Sequence, residues 1–203
     1  MRYHRIPDET IRRLPVYLRG LLFLLNQEQY ISSRNLADFL SVRDSQIRKD
    51  FSYFAGFGTP GVGYDIRKLI RQIKKILNLS VFHKAALVGV GNLGSAILAY
   101  PGFRMYGFEI AAAFDNNPKK IGGKINNVRI EDVPCLRTLR RRKISLAIIA
   151  VPRDAAQQTA DALVKAGVKG ILNFSPLRIT VPKKVKVITI DIAMELARLP
   201  YYI

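Results

Sequence analysis

The sequence has a single cysteine and no long hydrophobic run. Because Cys135 is the only cysteine, an intrachain disulfide is excluded, which is typical of a chain from a reducing cytosol. No apolar run approaches the roughly 20 residues that a membrane helix needs. The first residues, MRYHRIPDETIRR, lack the apolar middle of a secretory signal. We therefore expect a cytoplasmic protein that does not bind membranes, and we interpret Cys135 as a small buried residue.

Acidic residues are also scarce. The 203 residues include 33 Lys plus Arg but only 15 Asp plus Glu, so the net charge is +18. Residues 1–80 carry 14 basic and 7 acidic residues, net +7, and the remainder carries 19 and 8, net +11. The length allows two small domains, and both are positively charged. This excess predicts a polyanionic partner, and nucleic acid above all.

The first half of the chain shows helical periodicity. Apolar residues recur at spacings of three and four between Asp8 and Leu25, which predicts a helix that Pro15 either kinks or shifts in its start. The stretch SSRNLADFL predicts a short second helix, in which Ser32 or Ser33 caps the free amides of the first turn.

The stretch SVRDSQIRKDFSYF predicts a third helix that begins with Asp44 as its cap. Ile47, Phe51 and Phe54 form its inward stripe. The polar residues that remain outside are Ser45, Gln46, Arg48, Lys49 and Ser52. Two short helices joined by a tight turn match a helix-turn-helix. Glutamine can pair with adenine and arginine or lysine with guanine in the major groove, so we favour DNA binding over a merely solvated surface.

The stretch AGFGTPGVGY, residues 55–64, places four glycines and a proline between aromatic residues. This composition predicts a tight hairpin of the kind that forms the wing of a winged helix. Asp65 then caps a further helix, IRKLIRQIKKIL, with one apolar face. This helix is expected to close the first domain.

A nucleotide-binding pattern opens the second half of the chain. The run KAALVGV leads directly into Gly89, Gly91 and Gly94, which have the GxGxxG spacing of a strand, a phosphate loop and a helix. A second apolar strand, FEIAAAFD, ends in Asp115, where a carboxylate can accept hydrogen bonds from the adenosine ribose. An acid at this position favours NAD over NADP, although the nearby Lys119 and Lys120 weaken that preference.

Three more apolar runs, ISLAIIAVP, VKGILNF and KVKVITI, alternate with helical stretches near Val133–Arg142 and Arg153–Ala166. Buried parallel strands read as such runs, so the second half is predicted to be a doubly wound α/β sheet. Val151 and Pro152 end one strand where a dinucleotide would cross the sheet edge, although Val151 could equally pack in the core.

The groups that a dehydrogenase needs are missing. His4 lies near the amino terminus and His83 lies before the first strand of the sheet, so neither is placed for hydride transfer. The sequence has no metal-ligand spacing and no nucleophile elbow. We therefore predict that the protein is not an enzyme, has no catalytic residues and no metal site, and senses the nucleotide without reacting it.

Four stretches, in this order and spacing, resemble the redox-sensing transcriptional repressors of the Rex family: SVRDSQIRKDFSYFAGFGTPGVGY, GVGNLGSAILAYPGF, FDNNPKKIGG and DIAMELARLPYY. The resemblance covers essentially the whole chain. It implies a cytoplasmic homodimer with a winged-helix domain at 1–80, a Rossmann NAD(H)-binding domain at 81–190 and a swapped dimerisation helix at 191–203. It also implies that the protein represses from pseudo-palindromic operators and leaves the DNA when NADH binds as the NADH to NAD⁺ ratio rises.

The resemblance also implies site residues. Asp115 matches the ribose acceptor, Tyr100 a tyrosine near the nicotinamide, and Asp191 an acid of the swapped helix that Arg19 can join in an interdomain switch. The expected cofactor-binding residues are Gly89, Val90, Gly91, Asn92, Leu93, Gly94, Tyr100, Asp115, Val151, Pro152 and Asp191. The expected DNA-binding residues are Ser32, Ser45, Gln46, Arg48, Lys49, Tyr53 and Gly58.

Two positions depart from the family pattern. Thr59 and Pro60 occupy the wing tip, where a basic residue is common, so a charged contact between the wing and the minor groove is not assumed. Ile192 follows Asp191 where some relatives have an aromatic residue, so stacking on the nicotinamide is not assumed either.

Two other functions remain open at the level of sequence. One is an NAD-dependent oxidoreductase with an attached DNA-binding domain, and the other is a regulatory subunit that binds CoA or another nucleotide. The C-terminal helix could likewise form a dimer contact or pack on its own subunit.

Overall fold

The protein is described here by a computed structural model, which covers residues 6–54, 58, 59 and 61–203. The chain divides into two units, Met1–Val81 and Phe82–Ile203, each with its own buried core. The architecture agrees with the predicted fold class, because the first unit is mainly helical with a small sheet and the second is built on a mostly parallel α/β sheet.

Four α-helices build the first unit: α1 Asp8–Leu24, α2 Ser33–Leu40, α3 Asp44–Ser52 and α4 Ile66–Ile76. The apolar stripes predicted from the sequence face inward, and Leu14, Ile47 and Ile73 are fully buried. Pro15 lies inside α1 and neither ends the helix nor shifts its start from Asp8. The helices therefore share one core.

A three-stranded antiparallel sheet completes the first unit, with β1 at Tyr30–Ile31, β2 at Gly58–Thr59 and β3 at Gly63–Asp65, in the order β1-β3-β2. The β2–β3 pair is the hairpin predicted from the glycine-rich stretch. Residues 55–57 and 60 of that stretch lie outside the described residues. The helix-turn-helix is thus followed by a wing.

The second unit is built on a seven-stranded sheet in the order β10-β9-β8-β4-β5-β7-β6. Its strands are β4 His83–Val88, β5 Phe108–Asp115, β6 Lys124–Ile125, β7 Val128–Asp132, β8 Leu146–Ile149, β9 Gly170–Asn173 and β10 Lys186–Thr189. All neighbouring pairs are parallel except β6 with β7. The strand order reverses on either side of β4, which places a crevice at the carboxyl ends of β4, β5 and β8.

The helices of this unit are α5 Asn92–Ala99, α6 Arg153–Lys165 and α7 Ile192–Leu196. The helical stretch expected near Val133–Arg142 is shorter than predicted, because a 3₁₀ helix spans Val133–Thr138 and the residues after it form turns. Pro134 within its first turn and the bond from the Thr138 hydroxyl to the Cys135 carbonyl oxygen, 2.8 Å, favour the tighter turn. Cys135 is half-buried against the core.

Short 3₁₀ helices also span Pro101–Tyr106 and Leu199–Tyr202. Within the described ranges, no helix combines the length and the apolar character that crossing a membrane requires.

Candidate functional sites

The glycine-rich loop between β4 and α5 has the shape that binds a phosphate group. Gly89 has φ +92°, and a Cβ there would lie 2.5 Å from the carbonyl oxygen of Ala150. A Cβ on Gly94 would lie only 1.9 Å from the carbonyl oxygen of Gly89, so α5 packs directly on the loop. At Gly91, by contrast, a Cβ would meet open space. The loop is therefore closed on the protein side and open where a ligand would approach.

The first turn of α5 faces this opening. Gly91 is the N-cap of α5, and Asn92 and Leu93 are exposed at its start. The first amides of a helix have no partner within it and carry the positive end of its dipole, which favours an anion. Val90 differs from these residues because its side chain is buried and its amide already has a partner.

That partner is Asp115, the last residue of β5. One carboxylate oxygen of Asp115 accepts from the amide of Val90 at 2.8 Å and the other from the amide of Asn117 at 2.8 Å. Lys120 Nζ donates to the Val90 carbonyl oxygen at 2.9 Å and lies 3.6 Å from Asp115 Oδ2. Burial opposes ionisation of Asp115, but the two amides and Lys120 outweigh it and lower its pKa. Asp115 therefore holds the glycine-rich loop as an anion.

A cavity of about 520 Å³ lies at the carboxyl ends of these strands. The glycine-rich loop, the end of β5, the segment after β8 and α6 contribute its walls: Val88, Gly89, Gly91, Asp115, Asn116, Asn117, Lys120, Val133, Ala150, Val151, Pro152, Ala155, Gln158, Thr159 and Ala162. Val151 both lines the cavity and packs against the core, so its two interpretations are compatible. The volume lies within the range of ordinary ligand sites.

Two predicted ligand residues outside the glycine-rich loop and the first turn of α5, Tyr100 and Asp191, are not part of this lining. Tyr100 follows the last residue of α5, is 56% exposed and contacts Phe103 edge-on with ring centroids 5.4 Å apart. Asp191 follows β10 and accepts hydrogen bonds from the amides of Ala193 at 3.1 Å and Met194 at 3.2 Å, so it caps α7. Because β10 is parallel to β9, its one neighbour in the sheet, Asp191 lies at the same edge of the sheet as the cavity.

The second candidate site is the pair α2 and α3. Ser32 caps α2 by accepting from the Asn35 amide at 3.0 Å, as one of the two predicted alternatives required. Ser41, in the left-handed conformation, ends α2 and starts the turn. The prediction that Asp44 caps α3 is wrong, because Arg43 occupies the cap position and Asp44 is the first helical residue. The Asp44 carboxylate instead pairs with Arg48 one turn later.

The outward surface of α3 is largely as predicted. Ser45, Arg48 and Lys49 are exposed, while Ile47 and Phe51 are buried. Arg48 Nη1 pairs with Asp44 and donates to Ser33 Oγ at 3.4 Å, which braces its guanidinium against both helices. Gln46 is half-buried, since its amide turns toward Asp50.

Asp50 is a polar residue of α3 that sequence reasoning missed. It is fully buried, and its carboxylate accepts hydrogen bonds from Thr10, Arg13 and Tyr17 of α1. The available signal was its position next to Phe51 on the inward side of an amphipathic helix, where an acid requires buried donors.

The remaining predicted residues surround these helices. Tyr53 is half-buried just after α3, and Gly58 is exposed in β2 opposite Tyr64. Thr59 is exposed at the wing, while Pro60 lies outside the described residues. Arg19 is exposed on α1 in the first unit and Asp191 belongs to the second, so their pairing stays a prediction. In the part of the chain that the structure describes, no group of three or more His, Cys, Asp or Glu could hold a metal.

Comparisons with known proteins divide the chain in the same way. Residues 82–177 match the family model "CoA binding domain", and residues 5–52 match "Putative DNA-binding protein N-terminus". The chain is 46% identical to the redox-sensing transcriptional repressor Rex of Chloroflexus aurantiacus over 97% of this chain and 94% of that protein. It is 44% identical to Rex of Carboxydothermus hydrogenoformans over 100% of this chain and 99% of that protein.

The chain belongs to the Rex family of redox-sensing transcriptional repressors. This membership confirms the resemblance seen in the sequence. A solved structure of the Rex-family repressor RSP with β-NAD⁺ and operator DNA is similar with a TM-score of 0.91 and 40% identity, over 97% of this chain and 92% of that one. RSP with β-NADH gives a TM-score of 0.88 and 38% identity, over 98% and 94%.

Proposed function

We propose that this Rex-family protein represses transcription by binding operator DNA through α3, and that binding of NADH to the α/β unit releases the DNA. The observation that carries the proposal is that one chain presents both an exposed reading helix and a nucleotide cleft with an open phosphate loop. RSP, which is similar over the whole length, has been solved with β-NAD⁺ and operator DNA and with β-NADH.

The cleft residues fit a dinucleotide. The amides of Gly91, Asn92 and Leu93 would hold the pyrophosphate. Of the three glycines of the motif, Gly91 is the one at which an added Cβ would enter free space, so a ligand can approach the backbone there. Asp115 would accept hydrogen bonds from the adenosine ribose with the lone pairs that Val90 and Asn117 leave free. Lys120, beside Asp115, would neutralise negative charge near the ribose. The described residues that line the cavity include no histidine. From the membership in the Rex family of repressors we infer that the protein senses the nucleotide without reacting it.

Release from DNA requires a second conformation of the protein. A ligand shifts such an equilibrium only through its different affinities for the two states, so NADH must favour an arrangement that docks poorly on the operator. Both copies of α3 in a homodimer must reach major grooves about 34–36 Å apart, or a multiple of this distance. We propose that Tyr100, Asp191 and Arg19 take part in this switch.

The C-terminal segment supports a homodimer. Seven large apolar residues from 192 to 203 are more than half exposed in the single chain: Ile192, Met194, Leu196, Leu199, Tyr201, Tyr202 and Ile203. Such a concentration of apolar surface is typical of an interface. We infer that a second copy of the chain covers it, that the operator is pseudo-palindromic, and that the protein acts in the cytoplasm.

An operator mobility-shift assay tests the proposal. NADH and NAD⁺ are titrated separately against the protein bound to labelled duplex, and NADH is expected to release the DNA at lower concentration. Equal release by both nucleotides would remove redox sensing and leave DNA binding in place.

The two alternative functions have their own tests. The family model that matches residues 82–177 is named for CoA. The binding of CoA and the binding of NADH are therefore both measured by calorimetric titration. Binding of CoA without binding of NADH would favour a CoA-responsive regulator. Steady oxidation of NADH in the presence of a small carbonyl compound would instead favour an oxidoreductase.

A further inference from the structure

One buried carboxylate ties the reading helix α3 to α1. Asp50 Oδ1 accepts from Thr10 Oγ1 at 2.8 Å and Arg13 Nη2 at 2.8 Å. Asp50 Oδ2 accepts from Arg13 Nε at 2.6 Å and Tyr17 OH at 2.6 Å. Thr10, Arg13 and Tyr17 recur at spacings of three and four, so all three donors come from one side of α1.

A fifth hydrogen bond reaches the same carboxylate from the DNA-facing surface. Gln46 Nε2 donates to Asp50 Oδ1 at 3.1 Å, and Gln46 lies four residues, about one helical turn, before Asp50 on α3. Gln46 is thus the one outward residue of α3 that is linked to the buried network. Arg48, by comparison, is braced by Asp44 and Ser33 at the surface.

The charge of Asp50 fixes which end of the Gln46 amide faces inward. Burial opposes ionisation of Asp50, but hydrogen bonds from Arg13, Tyr17 and Thr10 outweigh it and lower its pKa. An ionised carboxylate can only accept hydrogen bonds. The NH₂ group of Gln46 must therefore point to Asp50, and its Oε1 must point away.

We propose that Asp50 is a positioning residue that sets the base preference of the repressor by orienting Gln46. In this orientation Gln46 offers Oε1 and its second Nε2 hydrogen outward, the pair of groups that recognises the N6 and N7 edge of adenine. An amide free to rotate would offer the reverse arrangement as well. The proposal rests on the proposed role of α3 in DNA binding.

The network is better explained by orientation than by stability alone. Ile47 and Phe51 already bury the inward side of α3, and Phe51 packs edge-on against Tyr17 with ring centroids 5.5 Å apart. A buried ion pair adds little net stability over apolar residues of the same volume, because desolvation of the charges offsets their attraction. Its directional hydrogen bonds do, however, fix one rotation of α3 about its axis.

The experiment measures base preference at every operator position. The full-length wild-type protein selects duplexes from a random pool, and the enriched sequence is then bound by the variants Gln46→Ala, Asp50→Asn and Thr10→Val. Thr10→Val keeps the volume of the side chain and removes one donor to the oxygen that Gln46 uses, so it serves if Asp50→Asn does not fold. Arg12→Ala is the matched control, because Arg12 is the neighbour of Arg13 on α1 and pairs with exposed Asp8, away from the Asp50 network.

We expect Gln46→Ala to lower the preference for one A·T pair in each half-site by about 10-fold or more, since a bidentate contact discriminates by that order. Asp50→Asn should lower the preference at the same pair to within about 3-fold of the Gln46→Ala value. Thr10→Val should give a preference between those of the wild type and Asp50→Asn, and Arg12→Ala should keep the wild-type preference. Adding Thr10→Val to Gln46→Ala should change this preference no further.

Three results would overturn the proposal. Asp50→Asn and Thr10→Val could both keep the wild-type preference at the A·T pair, or could weaken all positions equally, which would indicate a purely structural role. Gln46→Ala could leave every preference unchanged, which would remove Gln46 as a reading residue. In that last case Arg48→Ala still tests DNA binding by α3, so failure of the positioning role and failure of the proposed function are distinguishable.

Discussion

The three glycines of the glycine-rich loop have different surroundings, and single alanine substitutions distinguish their roles. At Gly94 a Cβ would lie 1.9 Å from a backbone oxygen, so the loop or α5 must shift. We expect Gly94→Ala to lower the free energy of unfolding by about 1–3 kcal/mol or more, as overpacking does. Gly91→Ala adds its methyl group to open space and should leave that free energy within about 0.5 kcal/mol of wild type.

Gly91→Ala should weaken the binding of NADH although it leaves the stability of the fold almost unchanged. Its added methyl group occupies the space through which a pyrophosphate approaches the backbone, so NADH affinity should fall by at least about 10-fold while operator affinity is retained. Thermal unfolding and fluorescence titration with NADH measure the two effects. Normal NADH binding by Gly91→Ala would contradict the placement of the pyrophosphate at this loop.

Asp115 is expected to matter for the nucleotide response and not for DNA binding. Asp115→Ala removes the acceptor of the Val90 and Asn117 amides and leaves Lys120 without its carboxylate partner. NADH should then release operator DNA only at a concentration at least about 10-fold higher, corresponding to about 1.4 kcal/mol of lost binding. A mobility shift with and without NADH measures both activities.

Asp132→Ala is the matched control for this variant. Asp132 ends the neighbouring strand β7 at the same edge of the sheet, but it is exposed and does not line the cavity. Its NADH response should equal that of the wild type. Loss of DNA binding by Asp115→Ala would indicate misfolding and contradict the assignment.

The lowered pKa of Asp115 makes part of the stability depend on pH. Because its folded pKa lies below the unfolded value of about 3.9, the ionised form stabilises the fold above that value, and this contribution is lost as pH falls through the folded pKa. Asp115→Asn should therefore cost about 1.5–3 kcal/mol at pH 7 and progressively less below about pH 4. Urea unfolding of both proteins across this range measures the difference, and a cost that does not change with pH would contradict the account.

At the scale of the element, α3 carries two cationic side chains with different surroundings. Arg48 is held by Asp44 and Ser33, whereas Lys49 is exposed on a flexible stem, the form in which lysine contacts phosphate as a point charge. Lys49→Ala should weaken binding to all duplexes alike and reduce the slope of log affinity against log salt by about 1 per subunit. Filter binding at several salt concentrations measures the slope, with Lys165→Ala on α6 as control. A change in base preference without a change in slope would contradict the phosphate assignment.

The elements that sequence predicted well are those whose own residues decide their form. The inward stripe of α3 and the apolar runs that end β4 and β5 are buried, so the apolar pattern of their own residues identifies them. The hairpin of β6 and β7 was missed, although its two turn residues, Asn126 and Asn127, have positive φ and are a recognisable signal.

Other features depend on partners distant in sequence. The hydrogen bonds from α1 to Asp50 join residues that are separated by 33 to 40 positions in the sequence. No local pattern in α3 predicts which donors of α1 bind this carboxylate. Asp44 illustrates the reverse case, because an acid at a helix start fits both the cap and the first turn, and only the backbone of Arg43 decides between them. The glycine spacing and Asp115, by contrast, were found because a strand end fixes where each residue lies.

At the scale of the whole molecule, the exposed C-terminal apolar segment predicts the oligomeric state. Leu196 on α7 is 64% exposed and Leu199 is 55% exposed in the single chain. A charge placed in a buried contact costs several kcal/mol, so Leu196→Asp should sediment as a monomer where the wild type sediments as a dimer. Val62→Asp, at an exposed apolar residue of the wing, should leave the dimer intact. A dimeric Leu196→Asp variant would place the contact elsewhere.

The two separate cores have a consequence for how such repressors diversify. Buried residues of the first unit cluster among themselves between Leu14 and Ile73, and those of the second between Ala85 and Val185. A substitution within the first core therefore leaves the packing of the second core intact, and a substitution within the second core leaves the packing of the first intact. A lineage can inherit the same set of controlled genes and still adapt the trigger to a new energy metabolism, or exchange the genes and keep the trigger.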